Sequence, residues 1–169
     1  MNPGNEIDVD PIPPVEENTT WFEAGPLAIG VEYRVLDDAL LLQEYPDGIP
    51  TGVSGVDDSG VSLHVVDTKE RREYLRFDCF DEEPHYHYLL PGQPVQRWVP
   101  FDAVANGAML DWALERLRTR LPEMLVTAGG PELSGQVDPV ALSGILGAVE
   151  AAARSGGGIR VDPHAPRRG

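Results

Sequence analysis

Apolar and polar residues alternate along the first half of the chain, a spacing typical of half-buried β-strands. In residues 27–36 the apolar side chains occupy alternate positions, with Glu32 and Arg34 on the opposite side. The same pattern predicts strands at 61–67, 73–80 and 85–90, joined by short polar connections and therefore antiparallel. A further short strand at 95–99, bracketed by prolines, is predicted at a sheet edge.

The spacing becomes helical after Asp102, which we expect to cap a helix with an apolar stripe that runs to Leu121. Pro122 ends or redirects that helix. Asp138 followed by Pro139 predicts a second helix start, with a stop near Gly156. Strands first and helices afterwards predict an α+β fold. We expect an antiparallel sheet of four to five strands (residues 27–99), with two or three helices (102–154) packed on one face.

Proline and acidic residues fill positions 1–20, and glycine, proline and arginine fill the other end. We therefore predict a disordered acidic arm at 1–20, a single α+β domain at 21–154 and a flexible tail at 155–169. Residues 45–60, rich in glycine and proline, predict a long loop. Residues 40–42 are predicted to extend or pair with the first strand.

The chain carries 28 acidic and 13 basic residues, a formal net charge of -15. Such a field repels phosphate backbones and anionic lipids, so nucleic acid and membrane are disfavoured as partners. No stretch approaches the roughly 20 apolar residues of a membrane span, and the N-terminal residues do not resemble a signal peptide. The single cysteine, Cys79, excludes an intrachain disulfide. These features predict cytoplasmic residence in a bacterial type of protein.

The segment 77–88 combines four carboxylates, two imidazoles and a thiol in one predicted hairpin. With a four-residue loop at 81–84, Phe80 lies opposite His85 and Asp78 opposite His87, so that Asp78, His85 and His87 share one surface. Cys79 then lies behind them, on the side that packs under the helices. A loop with an odd residue count would instead bring Cys79 to the two histidines. We favour the first register.

Two histidines at alternate strand positions, with a carboxylate opposite, match a two-histidine, one-carboxylate metal centre. The sequence thus predicts a site for divalent iron, manganese or zinc at His85, His87 and Asp78, to which Glu82 or Glu83 could add an oxygen. The structural alternative is an ordinary histidine pair that is hydrogen-bonded to carboxylates.

The polar residues around this hairpin could also have roles other than metal binding. Asp78 could orient His87 as a general base, although a nucleophile is missing because acidic neighbours suppress the Cys79 thiolate. Cys79 is therefore interpreted as a core residue. His64 is a possible third imidazole or a surface residue. The arginines are interpreted mainly as solvated side chains, although they could bind an anion if they converge.

The run from Tyr74 to Phe80 and the following Pro84-His85-Tyr86-His87-Tyr88, with the alanine-rich helices behind them, resemble a family of small uncharacterised bacterial α+β proteins. This resemblance covers roughly residues 27–154 and implies a fold without an assigned activity. The hairpin has a weaker similarity to TumE-type toxins, which implies a ribonuclease.

Three functions follow from these patterns. The first is an accessory module that presents its surface to a protein partner. The second is a small metal-binding protein or metal-dependent enzyme that uses the hairpin site. The third is a toxin-like ribonuclease, against which the acidity of the chain argues. The oligomeric state is not predicted by the sequence.

Overall fold

The computed structural model describes residues 3–49, 57–93 and 95–156 of the chain, which form one sheet and its covering helices. The strands are β1 (Asn5–Ile7), β2 (Thr19–Ala24), β3 (Leu27–Leu36), β4 (Asp58–Asp67), β5 (Glu73–Phe80), β6 (His85–Tyr88) and β7 (Gln96–Pro100). The α-helices are α1 (Asp38–Glu44), α2 (Ala103–Asn106), α3 (Met109–Thr119), α4 (Leu121–Thr127), α5 (Pro131–Gly135) and α6 (Pro139–Gly156). Part of the predicted loop at 45–60 and most of the predicted tail at 155–169 lie outside the described residues.

The seven strands are antiparallel, in the order β1-β7-β6-β5-β4-β3-β2. The predicted strands 27–36 and 73–80 are confirmed at both ends, and the other three are confirmed within three residues at each end. The prediction that the strand at 95–99 forms a sheet edge is wrong, because β7 lies between β6 and β1. The prediction of four to five strands is nevertheless too small, because β2 and β1 add one strand at each edge. The β2 strand returns onto β3 through Gly25, whose φ of 60° suits a tight turn.

The prediction that residues 40–42 continue the sheet is wrong, since they lie within α1. The carboxylate of Asp37 accepts a hydrogen bond of 2.7 Å from the backbone N–H of Leu40, which caps the helix. Of the three consecutive leucines, Leu41 is fully buried whereas Leu42 is exposed. Successive residues of a helix point in different directions, so one leucine can be buried while the next is exposed.

One face of the sheet is apolar and packs against α3, α4 and α6. Asp138 caps α6 as predicted, by accepting from the N–H of Val140 at 2.9 Å. Asp102, however, caps only the short α2, and the predicted helix to Leu121 begins afresh at Met109. Five α-helices follow β7 among the described residues, so two or three was an underestimate. None of the helices described is long and apolar enough to cross a membrane.

The opposite face of the sheet carries the polar side chains and is covered by residues 7–15 and α1. Hydrogen bonds from side chains of the domain to backbone carbonyls attach this covering segment. Gln96 donates to the carbonyl of Val9 at 3.0 Å, Arg34 to that of Pro13 at 2.8 Å, and the Tyr45 hydroxyl to that of Asp10 at 2.9 Å. Residues 7–15, part of the predicted acidic arm, therefore form a roof over the polar face together with α1.

Candidate metal centre

Asp78, His85 and His87 lie together on the polar face, as predicted from the alternation of side chains. Nε2 of His85 lies 3.2 Å, and Nε2 of His87 3.1 Å, from the same oxygen, Oδ2 of Asp78. One ligand atom from each residue lies within 4.8 Å of the others. Atoms that coordinate one ion at about 2.0–2.2 Å are separated from each other by roughly 3 Å or slightly more. The spacing therefore suits a shared metal ion.

The register of β5 against β6 differs from the predicted one by two residues. Each side chain nevertheless lies on the predicted face of the sheet. Asp78 is opposite His85 instead of His87, whose partner is Arg76. Because side chains alternate with a period of two, a shift of two residues leaves the same groups on each side. Phe77, Cys79, Tyr86 and Tyr88 accordingly pack on the helical side, as predicted.

Asp58, at the start of β4, holds the turn between β5 and β6. Its Oδ1 accepts from the backbone N–H of Glu82 at 3.1 Å, and its Oδ2 from that of Glu83 at 2.8 Å. The carbonyl of Glu83 lies 2.6 Å from Nδ1 of His85. Since a carbonyl only accepts, Nδ1 of His85 carries a proton, and Nε2 is the atom available to a metal. This is the support that metal-binding histidines receive in other proteins.

The two imidazoles differ in their pKa. Burial lowers the pKa of His87, and the charges of His85 and Arg76 lower it further against the opposing effect of Asp78. Burial alone would lower the pKa of His85 as well, but its hydrogen bond to Asp78 and the charge of that carboxylate raise it above the ordinary value. The pKa of His87 therefore lies below that of His85, and the buried Nδ1 of His87 has no hydrogen-bond partner.

Asp78 is held as a carboxylate. Burial alone would raise its pKa, yet hydrogen bonds to the two histidines and the positive charge of Arg76 hold the pKa well below the ordinary value. Its second oxygen, Oδ1, accepts a hydrogen bond of 2.5 Å from the fully buried Ser62 hydroxyl. This bond from β4 orients the carboxylate so that Oδ2 faces the two imidazoles.

A chain of paired ionisable side chains runs beside the triad across β3, β4 and β5. His64 lies between two carboxylates, with Nε2 2.8 Å from Glu32 and Nδ1 2.5 Å from Glu73. Arg34 pairs with Glu32 at 3.1 Å. Arg76 donates hydrogen bonds to the Glu73 carboxylate from Nε and Nη2, at 2.9 and 2.6 Å. Both ring nitrogens of His64 thus face carboxylates, and the chain runs through Arg34, Glu32, His64, Glu73 and Arg76.

The same pairing stabilises the acidic members. Burial alone would raise the pKa of Glu73, but Arg76 and His64 lower it to about 2. The pKa of Glu32 is likewise lowered, because its bonds to His64 and Arg34 outweigh its burial. His64 is therefore neither a third ligand nor a surface residue, since both of its ring nitrogens are engaged and the residue is fully buried.

The remaining predicted residues do not join the centre. The group within metal-binding reach in the described chain contains neither Glu82 nor Glu83, which are exposed on the turn. Cys79 packs against the core on the helical side, where burial raises the pKa of its thiol above the ordinary value. Nucleophilic chemistry at the triad is thus beyond its reach.

Sequence reasoning missed the buried polar residues that support the triad. Arg76 was interpreted as a solvated side chain but is 3% exposed, and the buried Ser62, Asp58 and Gln96 were not singled out. A signal was present in the sequence. Polar residues occupy the same side of three successive strands, at Glu32 and Arg34, at Ser62 and His64, and at Arg76 and Asp78.

Comparison with known proteins identifies a domain family. Residues 21–153 match a domain of unknown function (DUF7700), a segment that runs from β2 into α6 and includes the triad. No curated protein and no solved structure matches the chain. The match agrees with the resemblance to an uncharacterised family, whereas the similarity to TumE-type toxins stays a prediction. The chain belongs to the DUF7700 family of domains of unknown function.

Proposed function

We propose that this protein binds one divalent transition-metal ion through Asp78, His85 and His87 and presents it to the cavity beside them. The observation that carries the proposal is the convergence of both Nε2 atoms on one carboxylate oxygen, at 3.2 and 3.1 Å. Two imidazoles and one carboxylate are a ligand set for iron, manganese or zinc.

The number of ligands favours a reactive centre over a structural one. Structural zinc sites are closed by four protein ligands, whereas catalytic sites keep positions open for water or substrate. Three ligands are gathered here among the described residues, and all three line the same cavity. The open positions of a bound ion would face that cavity, so we propose metal-dependent chemistry on a small molecule.

The tautomers also support metal binding. The bond from Nδ1 of His85 to the Glu83 carbonyl leaves Nε2 to bind an ion. A second support comes from the Ser62 hydroxyl, which fixes the carboxylate. Such outer contacts commonly contribute 10–100-fold to metal affinity, in order of magnitude.

The test is a metal titration of the full chain, purified without a histidine tag and treated with a chelator. We expect one zinc, manganese or ferrous ion per chain. His87→Gln and Asp78→Asn should each weaken binding by about 100-fold, since removal of one of three ligands is more damaging than loss of an outer contact. Glu82→Gln, a change on the exposed turn two residues from Pro84, is the matched control and should bind like the wild-type chain.

A chain that takes up no metal, or a His87→Gln variant that folds and binds normally, would refute the proposal. Circular dichroism of each variant separates loss of the site from loss of the fold. The accessory role toward a protein partner stays a prediction, and it would become the leading hypothesis if the histidines could be replaced without effect on metal content.

A further inference from the structure

The three proposed ligands form one wall of a cavity of about 290 Å³ between the polar face and its roof. This volume is close to the lower end of the range for small-molecule pockets, about 300–1,000 Å³. The roof is supplied by the N-terminal segment and by α1. The cavity therefore suits a small organic molecule that reaches the metal, an inference that rests on the proposed function.

The hydrogen-bonding capacity of the cavity wall is unevenly used. The two buried acids already have partners, because Asp58 accepts three backbone N–H groups and Asp78 accepts from Ser62 and faces both imidazoles. The buried donors are less fully used. Nε of Arg34 is buried without a partner, and the bonds of Arg76 to Glu73 use Nε and Nη2 only. Both guanidinium groups line the cavity.

An anionic oxygen ligand fits this imbalance. A second cation would find no free carboxylate on the buried wall, since the remaining acidic residue that lines the cavity, Glu83, is exposed. A carboxylate would satisfy an open position of the metal and accept from guanidinium groups, which bind carboxylates more strongly than neutral acceptors.

The rest of the cavity is apolar, which limits the charge of the ligand to one end. The apolar wall is formed by Ile7, Ile12, Leu36, Leu41, Phe80 and Trp98. Oε1 of Gln96 is a buried acceptor without a partner, and its Nε2 is bonded to Val9, so it can accept from a hydroxyl group on the ligand. We infer that the cavity binds a small carboxylic acid with an apolar body, its carboxylate at the metal and the arginines.

The experiment is calorimetric titration of the zinc-loaded full chain with hexanoate and with hexanamide, which has the same shape and no charge. We expect hexanoate to bind at one site per chain and at least tenfold more tightly than hexanamide. Ile12→Trp, which places a large ring at the half-buried roof of the cavity, should abolish hexanoate binding and leave the zinc stoichiometry unchanged. Val140→Trp, at an exposed position on α6, is the control and should bind hexanoate normally.

The two proposals fail in different ways. A chain that binds one zinc ion but takes up neither probe, or both equally, would overturn the carboxylate inference and leave the metal site intact. Normal hexanoate binding by Ile12→Trp would also overturn it, because the ligand would then lie elsewhere. A chain that takes up no zinc before any probe is added overturns both.

Discussion

The two faces of the sheet follow the same alternation of side chains and yet are buried by different means. On the helical face, Leu63 and Phe77 are fully buried under α3, α4 and α6, and removal of apolar surface from water stabilises the contact. On the polar face, Glu32, His64 and Arg76 are almost as inaccessible, but each is hydrogen-bonded to an ionisable side chain. The difference shows that burial on this sheet has two physical origins.

The polar face is itself divided into a saturated part and an open part. Both ring nitrogens of His64 face carboxylates, whereas Nδ1 of His87 has no partner and its Nε2 shares a single carboxylate oxygen with His85. The saturated part therefore serves stability. The open part is the one with capacity left for a ligand, and it borders the cavity.

The largest effects are expected from truncation of one side chain on each face, Phe77 in the core and the partly buried Glu73 on the polar side. Phe77→Ala should cost about 3–5 kcal/mol through lost apolar contact and a cavity. Glu73→Ala should cost a similar amount, about 3–5 kcal/mol, because Arg76 and His64 lose their common partner. Denaturant unfolding measures both. A loss under 1 kcal/mol for Glu73→Ala would show that the charged chain does not support the fold.

Acid should act on the polar face. The folded pKa of Glu73 is about 2, below its ordinary 4.5, so its contribution to stability is complete above pH 4.5 and is lost as the pH falls toward 2. The 2.5-unit difference corresponds to about 3 kcal/mol. Unfolding free energies measured between pH 6 and pH 2 should fall by at least that amount. In Glu73→Gln the same curve should be flatter by about 3 kcal/mol, and an unchanged slope would contradict the assignment.

Substitutions at Ser62 and at its neighbour Val61 compare the polar face with the helical face on a single strand, β4. Ser62→Ala should cost about 1–2 kcal/mol, since it removes a hydrogen bond to a charged acceptor. It should also weaken metal binding about tenfold or more through loss of carboxylate orientation. Val61→Ala, the adjacent change on the helical face, should lower stability without change in metal affinity. Equal metal affinities for the two variants would argue against the outer contact.

The smallest effect is expected at the roof. Tyr45→Phe removes the hydroxyl bond to the carbonyl of Asp10, which should cost about 0.5–1 kcal/mol. Hydrogen exchange at residues 8–12 should increase in this variant and not in the sheet. Faster exchange throughout the sheet would mean that the roof is part of the main folding unit.

Several elements of the fold could be predicted because their signals are local. The strand Leu27–Leu36 follows from strict alternation, and the start of α6 from the Asp138-Pro139 pair. The leucines at 40–42 gave a wrong prediction because a run of apolar residues is compatible with both a strand and a short helix. The capping bond from Asp37 stabilises the helix. The strand β1 has three residues and depends on a partner more than 85 residues away, so composition gave no signal for it.

The candidate site was predictable for the same reason, and only in part. A period of two fixed which side of the sheet Asp78, His85 and His87 occupy, even though the predicted register was two residues off. The support from Asp58 and Ser62, and the roof over the cavity, depend on contacts between distant segments. No local spacing encodes such contacts, which is why the cavity was not foreseen.

X-ray absorption at the zinc edge of the zinc-loaded full chain tests the central claim most directly. We expect one ion per chain whose first shell contains two imidazole nitrogens and oxygen ligands at about 2.0–2.2 Å, with one imidazole lost in His87→Gln. A shell of oxygen atoms alone, or a spectrum that His87→Gln leaves unchanged, would contradict the assignment of this centre.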